Sequence, residues 1–201
     1  MLDTFKTISD PSEEILFKEK NSKFYGYAFP LFSDDEVKPI IDLLRKKHPN
    51  AGHFCYAFQI GTDKIQFRTN DDGEPNNSAG SPIYGQILSF GLTNILVVVV
   101  RIFGGTKLGV GGLISAYKTG AQMAIEGSNV VEKTINVHYR VSFDYKHMNK
   151  VMRVIKEQNL EIVSQNLENF CEIEIATRKK NAEKIVRIFE GLFEVTLQLM
   201  D

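Results

Sequence analysis

From residue 135 to 199, apolar positions recur with two clear periods. Ile135, Val137, Tyr139, Val141 and Phe143 alternate with polar residues, the period of a half-buried strand. Tyr145, Met148, Val151, Met152 and Ile155 then fall on one helical face, with Asp144 placed as its cap. Alternation resumes at Leu160 and Ile162 and, after a polar turn at residues 165–169, continues through Cys171, Ile173 and Ile175. Ala182, Ile185, Val186 and Phe189 form a second helical face, and Gly191 stands where a left-handed C-cap is wanted. Phe193, Val195, Leu197 and Leu199 alternate once more. The order β-α-β-β-α-β predicts a split-βαβ, ferredoxin-like antiparallel sheet with both helices on one face.

The first half follows a different pattern. Strand-like segments at 14–20 and 23–30 meet at the turn-prone Asn21-Ser22. Ser33 and Glu36 have capping-box spacing ahead of a helix carrying Val37, Ile40, Ile41 and Leu44, whose start Pro39 should kink or postpone. Strands at 53–60 and 64–69 flank a turn at 61–63, and a loop at 70–77 leads to a short helix over 82–90 ending at Gly91. Residues 94–102 form a continuous β-branched run, expected of a central strand buried on both faces.

All six prolines precede residue 83, and only Gly191 of the fifteen glycines lies beyond residue 127. This break places a domain boundary near Gly127-Ser128-Asn129, giving domains 1–130 and 131–201 of an α+β protein.

With 201 residues, 43% of them hydrophobic, the chain can bury a core. Its 24 Lys and Arg against 25 Asp and Glu leave a net charge of -1, so no global field attracts nucleic acid or an anionic membrane, and any RNA contact needs a local patch. The first twenty residues lack the basic start and apolar run of a secretory signal, and the longest apolar run, residues 95–100, is far below the roughly 20 residues that span a bilayer. Cys55 and Cys171 stand alone, without CxxC or Cys/His ligand spacing. A cytoplasmic chain with buried, reduced thiols and no membrane partner is expected.

The segment Arg101-Ile102-Phe103-Gly104-Gly105-Thr106-Lys107-Leu108-Gly109-Val110-Gly111-Gly112 leaves the central strand and enters a helix carrying Leu113, Ala116, Tyr117, Gly120, Ala121 and Ala124. Strand, glycine loop and helix is phosphate-binding grammar. The specific motifs fail: a Walker A loop from Gly104 needs Lys where Val110 stands, and a dinucleotide loop from Gly109 needs Gly where Ile114 stands. Two readings stay open. The glycines serve close packing and positive φ, or their amides, with Arg101 and Lys107, form an anion or RNA-backbone site.

Asp71-Asp72-Gly73-Glu74-Pro75 places three carboxylates on one loop, suited to a hard cation or acid/base work, and equally to turn chemistry in which Asn77, Ser78 or Ser81 caps the next helix. Ser78 lacks the glycine at 76 that a nucleophile elbow needs. His53 and Cys55 share one strand face, with no third ligand at zinc spacing; His138 and His147 read as surface or interface residues. Neither a catalytic residue, a metal site nor a cofactor is assigned.

Three motifs carry a resemblance. His48-Pro49-x-Ala51-x-His53-x-Cys55, Asp71-Asp72-Gly73-Glu74-Pro75-x-x-Ser78-Ala79-Gly80-x-Pro82 and Val98-Val99-Val100-Arg101-x-Phe103-Gly104-Gly105-x-x-Leu108-Gly109-x-Gly111-Gly112-Leu113-x-x-Ala116-Tyr117 resemble the IMPACT family in its two-domain, YigZ-like bacterial form. Ile102 departs from it, since an aromatic residue is frequent there. The resemblance implies a first domain like the fourth domain of elongation factor G, with a ribosomal-protein-like β-α-β fold, and a ferredoxin-like second domain like that factor's fifth. It implies a translation-associated binding protein facing RNA, the ribosome or a regulatory protein, without DNA specificity. The expected surface is His53, Asp71, Asp72, Glu74, Ser78, Arg101, Gly104, Gly105, Lys107, Gly109, Gly111 and Gly112. The alternative is a hydrolase or other enzyme built on His53, Asp71, Asp72 and Glu74, with or without a metal.

Overall fold

The computed structural model describes residues 3–168 and 170–200; Met1, Leu2, Asp201 and Asn169, the last position of the turn expected at 165–169, lie outside the described residues. Its elements are β1 (Thr4–Ile8), β2 (Ile15–Glu19), β3 (Ser22–Pro30), α1 (Val37–Lys47), β4 (His53–Ile60), β5 (Gln66–Asn70), α2 (Gly80–Phe90), β6 (Ile95–Ile102), α3 (Gly109–Glu126), β7 (Val130–Thr134), β8 (Asn136–Asp144), α4 (Met148–Glu157), β9 (Glu161–Leu167), β10 (Phe170–Arg178), α5 (Ala182–Glu190) and β11 (Val195–Leu199). The chain divides into two compact units. One is Phe5–Lys133; the other joins the segment ending at Thr4 to the chain from Thr134 onward.

In the first unit, five strands pair antiparallel in the order β2-β3-β6-β4-β5. The central β6 explains its own composition. Ile95, Val97 and Val99 enter a core shared with α2 and α3, while Leu96, Val98 and Val100 enter a second core on the α1 side. A strand covered on both faces needs apolar residues at every position. Lys20 and Asn21 turn the β2–β3 hairpin with φ of 44° and 66°, the left-handed pair of a two-residue hairpin turn. The Ser33–Glu36 capping box forms on a short 3-10 turn, so that α1 starts at Val37 and Pro39 falls within its first turn, where no amide is missed. The helix α3 lies close against β3, because a Cβ at Gly26 would stand 2.5 Å from the Gly120 carbonyl oxygen.

In the second unit the sheet order is β11-β8-β10-β9, with antiparallel neighbours throughout, the order of the split-βαβ pattern. Tyr139, Val141, Phe143, Ile173 and Ile175 meet Val151, Ile155, Ile185 and Phe189 in one core. The α+β class read from the pattern holds. Several local expectations do not. Residues 165–167 continue β9 as an exposed edge strand. Asp144 makes no side-chain cap; its carboxylate lies 3.5 Å from Lys146 Nζ. Gly191 is right-handed at φ -75°, and the positive φ falls at Glu194 instead. His147 is buried, its Nε2 2.8 Å from Glu194 Oε2, because the turn after α5 brings that carboxylate back over the start of α4. The short strands β1 and β7, which pair with each other, had no alternation long enough to announce them. Among the described residues no helix is long and apolar enough to cross a membrane.

Candidate functional site

Alternation along β6 sets up the site. Ile95, Val97 and Val99 face the α2/α3 core, so Arg101 two residues on continues that face at the end of the sheet, opposite Phe24 of β3 and His53 of β4. A guanidinium on a core face must be partnered. Glu74 supplies the partner: Arg101 Nη1 donates to its Oε1 at 2.6 Å, and the Tyr117 hydroxyl of α3 donates to the same oxygen at 2.7 Å. Both members of the pair are closed off from water, at 5% exposure for Arg101 and 9% for Glu74. The guanidinium is also held between the rings of Phe24 and Phe103, 5.6 Å and 5.4 Å from their centroids. Burial and the Glu74 carboxylate push the Tyr117 phenol well above its ordinary range, so it stays a donor.

The expectation that Arg101 is an exposed cation for a phosphate backbone is therefore corrected. Its charge is spent on Glu74, because its place on the strand points it inward. Its buried Nε finds no acceptor among the described residues.

The 70–77 loop is built by its own carboxylates. Asp72 and Gly73 have φ of 40° and 87°, a reversal that carries Glu74 under the sheet. The Asp71 carboxylate accepts from the amides of Asn77, Ala79 and Gly80 at 2.8–2.9 Å, capping α2 from nine residues ahead of its first residue. The expected caps at Asn77, Ser78 and Ser81 are not used: Ser78 is fully buried and donates to the Pro75 carbonyl at 2.6 Å. Asp72 Oδ2 accepts from the Phe54 amide at 2.6 Å, and Arg45 Nη2 lies 3.2 Å away. His53 Nδ1 faces the Asp72 carbonyl at 2.9 Å and, since a carbonyl only accepts, must carry the proton. Its Nε2 then stands 3.9 Å from Glu74 Oε1, an approach between two side chains of the enzymatic alternative. The three carboxylates point three ways, and among the described residues no group of three His, Cys, Asp or Glu is arranged to hold a metal. Cys55 lies on the same strand face as His53, as expected, and donates to the Asp71 carbonyl at 3.0 Å. Burial pushes its thiol up strongly, which leaves it a packing residue.

The glycines divide between the two readings. A Cβ at Gly104 would stand 2.0 Å from the Asn21 carbonyl carbon, so this glycine is needed where the loop crosses the β2–β3 turn. Gly105 and Gly109 have φ of 86° and 74°. Gly111 is different. It is helical, and a Cβ there meets nothing within 4 Å. The loop leads into α3 with no side chain capping the helix. Between this helix start and the Glu74–Arg101 pair lies a cavity of about 380 Å³, lined by Glu74, Pro75, Arg101, Phe103, Lys107, Leu108, Gly109, Val110 and Leu113.

Sequence reasoning missed Tyr117 and Phe103 as site members. Tyr117 sat on the apolar stripe of α3 and read as core, which it also is. It missed a second cluster as well. Tyr27 is hydrogen-bonded to both Glu14 and His48, and Lys47 Nζ lies 2.8 Å from Glu14 Oε2. These four residues come from three separate stretches of chain, and no spacing links them.

The fold and this site define a two-unit α+β protein whose first unit closes a buried Glu–Arg–Tyr network beneath a glycine-rich strand-to-helix loop. Residues 20–125 match the model of the Impact N-terminal domain. An IMPACT family member of Haemophilus influenzae is 32% identical over 180 residues, 86% of each chain, and the IMPACT family member YvyE of Bacillus subtilis is 35% identical over 158 residues, 78% of this chain and 72% of that one. The chain belongs to the IMPACT family. A crystal structure of a hypothetical protein, 24% identical, shares the fold with a TM-score of 0.73 over 100% of this chain and 98% of its own.

Proposed function

We propose that this chain is a binding module of the translation apparatus that contacts RNA through the glycine-loop end of its first unit. One observation carries the reading: the loop brings an exposed Lys107 and the uncapped start of an 18-residue helix to the rim of one open cavity. An uncapped helix start offers unpaired amides and a partial positive charge, and among the described residues no ion pair engages Lys107. Membership of the IMPACT family supports the link to translation, since the resemblance implies a translation-associated role. The engagement of Asp71 and Asp72 in holding the loop weighs against a hydrolase built on them.

The test is fluorescence anisotropy of a labelled single-stranded oligoribonucleotide at rising salt, comparing the native chain with Lys107→Glu. The buried Arg101 is left intact, so that a folding defect does not mimic a binding one. Binding that falls linearly in log–log salt, with the slope reduced by about 1 in the variant, supports the reading. Equal binding by the variant removes the loop as the contact. An absence of RNA binding, with a co-purified protein lost in Lys107→Glu, replaces RNA by a protein partner.

A further inference from the structure

Three features meet at the cavity, one of them the half-exposed Phe103 ring that also flanks the Arg101 guanidinium. Phe103 and Val110 keep apolar side chains about half exposed, at 51% and 53%, on its wall. Gly111, in the first turn of α3, occupies a helical position where alanine would be favoured, and nothing nearby forbids a methyl group. Arg101 lines the cavity floor with a buried Nε–H that has no acceptor among the described residues. A buried donor left open, a bare patch of helix backbone and an exposed aromatic ring each cost stability, and all three meet at one cavity.

Their chemistry is complementary to one kind of ligand. The wall of Pro75, Phe103, Leu108, Val110 and Leu113 suits a flat, weakly polar body. At the rim, Lys107 and the first-turn amides of α3 suit an anion, and the bare backbone at Gly111 lets that anion come close. At the floor, the Arg101 Nε–H, left without an acceptor among the described residues, offers a donor to the polar edge of a heterocycle. The volume of about 380 Å³ falls in the range of small-ligand sites. We propose that the cavity between Phe103 and the start of α3 receives a single nucleotide of an RNA strand. Its base lies along Phe103 and the apolar wall, and its phosphate rests on Lys107 and the α3 amides. The inference rests on the RNA reading above and gives it a ligand unit. An unstacked base is available only in single-stranded RNA, so a duplex should be refused.

The experiment measures binding of a labelled single-stranded oligoribonucleotide, the same sequence as a duplex, and a mixture of the four ribonucleoside monophosphates, to the native chain, Phe103→Ala and Gly111→Ala. Phe103 is half exposed and flanks Arg101, and Gly111 is exposed, so thermal melts check that each variant folds; Gly111→Ala should melt at or above the native temperature. The expected result is preference for the single strand, with affinity lowered about 5- to 100-fold in Phe103→Ala, as for loss of one base stack, and lowered in Gly111→Ala without loss of stability. Single-strand binding that responds to Lys107→Glu and ignores both cavity variants overturns the nucleotide site while leaving the RNA contact standing. No binding of either strand form overturns both. Monophosphates that bind where the strand does not overturn the strand as the source and leave a free nucleotide as the ligand.

Discussion

Arg101 Nη1 lies 2.6 Å from Glu74 Oε1 across 27 residues of sequence, and both side chains are almost wholly withdrawn from water. The pair closes the end of the central sheet and forms the floor of the cavity. It anchors the otherwise exposed loop from Asp71 to Asn77 through one buried side chain.

Removing one partner strands the other as a buried charge. Arg101→Met should destabilise the chain by about 3–5 kcal/mol. The double variant Arg101→Met/Glu74→Gln should recover part of that loss, because no uncompensated charge remains. Urea unfolding of the native chain, the single and the double variant measures the difference. A single variant as stable as the native chain would show that water reaches the pair.

Asp71 holds three amides at the start of α2. A single N-cap replaced by alanine costs about 0.5–2 kcal/mol, and three bonds place Asp71→Ala at or above the upper end. Asp71→Asn retains an acceptor oxygen and should cost less. The comparison by chemical denaturation separates a cap from an acid/base residue, for which both substitutions would leave stability alone.

Much of this was legible in the chain because it depends on local period. The two-sided run of β6, the alternation of β8 and β10, and the amphipathic faces of α4 and α5 all follow from which positions are apolar. The motif residues were legible too, since Asp71, Glu74 and Arg101 stand in recognisable order. Their roles were not. Whether Arg101 meets solvent or Glu74 depends on which face of β6 it falls on and on where a loop 27 residues away returns, and neither is written in spacing. The same holds for His147 and Glu194, brought together by the turn after α5. Gly191 shows the converse, since a residue permitted to be left-handed is under no obligation to be so.

Cys55 and Cys171 are both buried, and desolvation raises the Cys55 thiol far above the range in which thiolate forms near neutrality. Neither should react with a thiol-specific reagent at pH 8 in the folded chain, and both should react once the chain is unfolded in guanidinium. Rapid labelling of Cys55 under native conditions would mean that the 70–77 loop opens readily, since its carbonyl at Asp71 covers the sulfur.

The Glu14–Tyr27–His48 cluster makes stability depend on pH with a definite sign. Burial holds His48 below its ordinary 6.5, outweighing the opposing pull of Glu14, so the unfolded chain binds a proton that the folded chain refuses. Stability is therefore full above about pH 6.5 and declines as pH falls toward the lower folded value. Glu14 acts in the same direction at lower pH. Its hydrogen bonds from Lys47 and Tyr27 hold its carboxyl below the ordinary 4.5, so the stabilisation it adds is present above that value and lost as pH falls through the folded one. Urea midpoints measured between pH 7.5 and 5 should fall for the native chain. In His48→Gln, which keeps a polar partner for Tyr27 and does not titrate, the decline over this window should flatten while the loss below pH 4.5 remains. A native midpoint that does not move between pH 7.5 and 5 would show that His48 accepts its proton in place.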